Sequence, residues 1–251
     1  MTELLNRAGF TVTARRGATL PCGVFIFAKA ESCRSNRRLR RAKGKRLTGT
    51  FDPANPVPYR PRPIDVASGW TTWQVQDQRF VDHRSDVLTW VTDPLQDNMI
   101  VSGKISAHLF ASTTGTDSDW IVKFIDVYAE KHDANPPADP KMSGYELMIA
   151  GDVMRARYRK SLEKPEPLTP DVVTEFEIGF PANDHVFLMG HRVMVQVQST
   201  WFPVIDRNPQ RFVPNIFLAK ESDFQSATQH VFRSGQHSSY ISVPSMDIPR
   251  P

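Results

Sequence analysis

A chain of 251 residues, 40% hydrophobic and 23% charged, has the usage of a folded globular protein and the length for one large core or two small ones. The net charge of +4 hides a division: residues 1–50 carry 12 Lys and Arg against 2 Glu, and the remaining residues carry 19 against 25. No apolar run approaches the roughly 20 residues of a membrane span, so a membrane partner is not expected.

The first 50 residues read as a basic leader, disordered or translated out of frame, because blocks of like charge self-repel. Arg34, Arg37, Arg38, Arg40, Arg41, Lys43, Lys45 and Arg46 form the dense run. Such a run would also suit nucleic acid or an anionic membrane face, through counterion release and attraction. A targeting peptide fits poorly, since its basic residues should precede the apolar stretch, whereas here they follow Val24-Phe25-Ile26-Phe27. Both cysteines, Cys22 and Cys33, lie in this leader, leaving no disulfide framework or Cys-ligated metal for residues 51–251.

Residues 52–63 carry repeated prolines, which fix φ and remove donors, so an extended connector across a surface is expected. A PxxP ligand is the sharper alternative. Strand signals begin at Asp86. Val87, Thr89 and Val91 alternate with Leu88 and Trp90 in a run that two covered faces could bury. Ile105, Ala107, Leu109 and Ala111 alternate with Ser106, His108 and Phe110, the period of a strand with one mostly polar face. A turn-rich stretch at residues 112–118 leads into a strand over residues 120–128. Further strands are expected over residues 145–149, 155–158, 172–180, 192–198, 230–233 and 240–243. About eight short strands between Pro, Gly and Asn turns, with little helix, predict an all-β jelly-roll sandwich.

Chemistry is sparse. No Gly-x-Ser-x-Gly elbow occurs, and Ser68, Ser102, Ser143 and Ser234, each beside a glycine, lack its second glycine. The seven histidines, at 83, 108, 132, 185, 191, 230 and 237, show no zinc spacing and read as isolated side chains. Asp117-Ser118-Asp119 is oxygen-rich enough for calcium, although capping of the turn backbone is the simpler role. No cofactor is expected. Trp120, Trp201 and Phe202 could line a ligand groove, but rings of this size more often fill a core or an interdomain face. Asp126, on an otherwise apolar strand, needs a partner, and Arg155 or Arg157 is expected to supply it.

Several segments together resemble one family. They are Asp52-Pro53-Ala54-Asn55-Pro56-Val57-Pro58-Tyr59, Ser118-Asp119-Trp120, Ile125-Asp126-Val127, Gly144-Tyr145-Glu146-Leu147, Arg155-Ala156-Arg157-Tyr158-Arg159, the strand from Gly190 through Trp201-Phe202-Pro203, and Asn208-Pro209-Gln210 with Val213-Pro214-Asn215-Ile216. In order and spacing this set is similar to the C-terminal jelly-roll (galactose-binding-like) domain of cocaine-esterase-like and α-amino acid ester hydrolase serine hydrolases, also called the Xaa-Pro dipeptidyl-peptidase C-terminal domain. The resemblance runs from about Phe51 to Pro244. It implies a non-catalytic domain that walls an active site and aids oligomer packing, beside an α/β-hydrolase domain whose Ser-His-Asp triad lies outside these residues. No catalytic residue carries over, and the abrupt change upstream of Phe51 suggests a truncated or frameshifted product. Two other readings stand beside it: an independent carbohydrate- or ligand-binding β-sandwich, and a basic-tailed nucleic-acid binder.

Overall fold

The computed structural model describes residues 22–26, 46–64, 70–131 and 141–246. Most of the basic run and Cys33 lie outside these residues. The described chain is an all-β sandwich of two antiparallel sheets.

The smaller sheet has four strands, ordered β3 (Leu88–Val91), β10 (Arg192–Gln198), β6 (Asp119–Val127) and β7 (Glu146–Arg155). The larger has nine: β1 (Cys22–Ile26), β2 (Arg46–Phe51), β4 (Met99–Gly103), β5 (Ser106–Thr113), β8 (Thr174–Gly179), β9 (Asn183–Phe187), β11 (Ala227–Ser234), β12 (His237–Ser238) and β13 (Tyr240–Met246). β5 pairs with β8 along one edge and with both β11 and β13 along the other. Strand pairing reaches back before Phe51: β2 runs beside β11 from Phe51 to Arg46, and β1 beside β13.

Period-two alternation builds the core. Ala107, Leu109 and Ala111 of β5, Phe176 and Ile178 of β8, Val231 of β11 and Ile241 and Val243 of β13 meet Trp120, Val122 and Phe124 of β6 and Val193, Val195 and Val197 of β10. The intervening β5 residues Ser106, His108 and Phe110 face outward and are only partly covered. β6 departs from alternation because it is buried at every position. At Lys123 its second face is covered by a strap, residues 53–64 and 70–87, which opens in a turn at Asp52–Asn55 and carries two 3-10 turns, Trp70–Val75 and Gln78–Val81.

Three expectations are corrected. Residues 155–158 are not a strand: Arg155 ends β7, and Ala156–Tyr158 form a 3-10 turn as Ala156 N–H donates to the Ser118 carbonyl at 2.9 Å. Among the strands not expected, β1 and β2 lie in the leader, β12 forms a short hairpin with β11, and β4 and β9 pair with each other. Asp126 is buried, yet its partners are histidines: His185 Nε2 lies 2.9 Å from one carboxylate oxygen and His191 Nδ1 2.9 Å from the other. The antiparallel register explains this, placing Arg155 opposite Asp119 and Leu147 opposite Asp126.

Candidate functional site

The candidate site is the long connection between β10 and β11, residues 199–226. Pro203, Pro209 and Pro214 keep it out of the sheets, because each removes a donor that a ladder needs. Something else must hold it, and two systems do.

The first is aromatic. Phe202 and Pro58 form a parallel bridge, with Phe202 N–H donating to Val57 O and Tyr59 N–H to Phe202 O, both at 3.0 Å. Val57 N–H also donates to Thr200 Oγ1 at 2.7 Å. Trp201 therefore turns inward and packs edge-on against Trp73 at 5.3 Å, which in turn meets Tyr59 at 5.6 Å. Beneath them Lys123 is wholly buried on the strap side of β6, its Nζ 5.3 Å from the Trp201 ring centre and 2.9 Å from Gln78 Oε1. Burial pushes the Lys123 ammonium down to about 7, partly opposed by the Glu146 carboxylate. Phe202 stays half-buried, with the Arg207 guanidinium 5.9 Å from its ring and 4.8 Å from that of Phe224.

The second system is polar. Arg155 donates twice to Asp119, at 3.0 and 2.9 Å, and Asn208 Nδ2 donates to it at 2.9 Å. Burial still pushes the Asp119 carboxyl up to about 6 against these donors. Arg157 donates to Asp117 at 2.7 Å and to the Val213 carbonyl at 2.8 Å. Gln210, at φ +60°, accepts from Ser118 Oγ at 3.0 Å and donates to Ser199 Oγ at 3.1 Å; Gln229 of β11 donates to Ser199 Oγ at 2.9 Å and also bonds Ser118. The network thereby ties the loop to both sheets.

These geometries assign the residues singled out in the sequence. Asp117 and Asp119 are guanidinium acceptors, so neither offers a free carboxylate to calcium. Trp120 is wholly buried against Phe176 at 5.4 Å, which leaves it no surface for a cleft or a second domain. Trp201 is closed beneath the strap; of the three rings, Phe202 alone keeps a partly open face. Ser118 and Ser199 face glutamine amides instead of an imidazole base, an arrangement suited to holding a surface and not to generating a nucleophile. Sequence reasoning missed the exposed pair Phe217 and Leu218 on the 3-10 turn Ile216–Leu218; an apolar run inside a Pro-broken loop was the available signal. It also missed the His185–Asp126–His191 cluster, whose members carry no spacing signature.

Residues 25–242 match the family model described as X-Pro dipeptidyl-peptidase C-terminal non-catalytic domain. Cocaine esterase of Rhodococcus sp. (strain MB1 Bresler) is 32% identical over 199 residues, 78% of this chain and 32% of that protein. Among solved structures, an α-amino acid ester hydrolase superposes with a TM-score of 0.77 at 52% identity, covering 82% of this chain and 33% of that one. An aminopeptidase from a marine sediment archaeon, Thaumarchaeota archaeon, gives a TM-score of 0.77 at 45% identity, covering 82% and 34%. The chain thus spans about a third of the length of these relatives, and it belongs to the X-Pro dipeptidyl-peptidase C-terminal non-catalytic domain family.

Proposed function

We propose that this chain serves as the accessory domain of a serine ester or peptide hydrolase, packing on an α/β-hydrolase catalytic domain, walling one side of its active-site cleft and supporting oligomer contacts. The observation that carries this reading is the β10–β11 loop, whose buried polar groups are spent on fixing its shape while apolar side chains remain exposed along it. Likeness to enzymes named for α-amino acid esters and for aminopeptidase activity supports an acyl-transfer hydrolase acting on esters or amides of amino acids. The purified chain should show no turnover of p-nitrophenyl acetate or of an α-amino acid methyl ester. Hydrolysis of either by the purified chain, lost on replacing one of its own residues, would overturn the reading.

A second reading, a ligand-binding β-sandwich, is favoured by rings on the outward face of the larger sheet. His108 stacks on Tyr240 at 4.5 Å, and His237 meets Phe110 at 5.6 Å and Phe232 at 6.1 Å. Calorimetric titration with oligosaccharides tests it, and silence across neutral and acidic sugars would remove it.

A further inference from the structure

Beyond the buried network, the β10–β11 loop carries the run Val213-Pro214-Asn215-Ile216-Phe217-Leu218-Ala219 to the surface. Phe217 and Leu218 are 75% and 77% exposed. They are held there by design of the local backbone. The Asn215 side chain accepts from Phe217 N–H at 2.9 Å, and the Leu218 and Ala219 N–H groups close the turn onto Asn215 and Ile216 at 3.2 Å. On the near side Val213 is buried, with its carbonyl bound to Arg157; on the far side Lys220 N–H donates to Asp223 at 2.8 Å. Two large apolar side chains on a capped, anchored turn lose little further freedom on burial, the property that makes a preorganised anchor effective. Leu162 is 84% exposed yet differs in kind, standing between Lys160 and Lys164 with Glu163 adjacent.

We infer that Phe217 and Leu218 are the anchor through which this domain docks on the hydrolase catalytic domain, an inference that rests on the accessory-domain reading above. The occupant follows from two observations. The matched family is a non-catalytic C-terminal domain, and the α-amino acid ester hydrolase is about three times as long as the part this chain covers, so a catalytic portion is the body such a domain must meet. Elsewhere on the same loop Val204, 41% exposed, and Phe202 also keep open apolar surface.

The test is a chimera in which this chain's residues 46–246 replace the matching domain of the α-amino acid ester hydrolase, a 52% identical exchange. Three forms are compared: unsubstituted, Phe217→Ser with Leu218→Ser, and Leu162→Ser. The double substitution should leave the melting point of the separate chain unchanged. In the chimera it should shorten the heat-inactivation half-life of ester hydrolysis by at least about tenfold, the scale expected for losing two interface anchors, and Leu162→Ser should not. An active chimera indifferent to the double substitution overturns the anchor alone. A chimera without ester hydrolysis overturns the accessory-domain reading and the anchor with it. A lowered melting point of the separate chain, or a dimer of it that the double substitution dissolves, assigns the two side chains to the core or to a second copy and equally overturns the proposal.

Discussion

Replacing Lys123 by Met should stabilise the chain near neutrality and remove most of one pH dependence. Folding takes this ammonium from an ordinary 10.5 to about 7, mainly because burial disfavours its charged form. At about 1.4 kcal/mol per pH unit the gap amounts to about 5 kcal/mol. Between pH 7 and 10.5 the unfolded chain binds more protons at this site than the folded one, so stability rises with pH across that window; below pH 7 both states are protonated and the full cost is borne. Methionine fills the space beside the Trp201 and Phe80 rings, whose centres lie 5.3 and 5.9 Å from Lys123 Nζ, and has no charge to bury, but it leaves Gln78 Oε1 without its donor, a loss of about 1 kcal/mol. The variant should therefore be about 4 kcal/mol more stable at pH 6.5, the two forms crossing near pH ~10. Urea unfolding followed by circular dichroism at pH 6.5, 7.5, 8.5 and 9.5 reads this difference with all other titrations held in common. Parallel stability curves, or a variant weaker than the parent at pH 6.5, would refute the reasoning.

Three further outcomes are expected. Gly115→Ala should cost about 2–4 kcal/mol, since a Cβ there would lie 2.2 Å from the Gln210 carbonyl oxygen and the network behind Gln210 resists moving; a thermal midpoint within a degree of the parent would contradict it. Arg157→Met should cost about 3–5 kcal/mol by leaving the buried Asp117 carboxylate without its guanidinium, and the additional replacement Asp117→Leu should recover much of that loss in the same denaturation assay. Asp126→Ala should clearly lower the melting point by removing the buried carboxylate that both imidazoles meet at 2.9 Å, so an unchanged midpoint would show that the cluster contributes nothing.

The fold was legible wherever one sheet face was dry and the other wet. β5 shows this directly, its buried Ala107, Leu109 and Ala111 alternating with half-covered Ser106, His108 and Phe110. β9 was illegible for the opposite reason, since Asn183, Asp184 and His185 carry no strand preference and owe their pairing to β4. The partner of Asp126 was lost because sequence separation does not reveal which end of a strand a residue occupies. Arg155 is a fitting donor, but the register delivers it to Asp119. Phe202 stood out by its place beside prolines, whereas the exposure of Phe217 depends on Asn215 capping a three-residue turn, a detail visible only once the backbone is placed.

The bridge between Pro58 and Phe202 has a consequence for synthesis. The strap is made early, yet its fixing bond, Val57 to Thr200, spans 143 residues. At roughly 5–20 residues per second on a ribosome, the strap waits on the order of 10–30 seconds for its counterpart. Lys123 is made about midway through that interval, and from then until Thr200 emerges the strap cannot be fixed over it. The side chain whose burial weakens the finished domain thus puts a cation on that face of β6 for as long as the strap stands open.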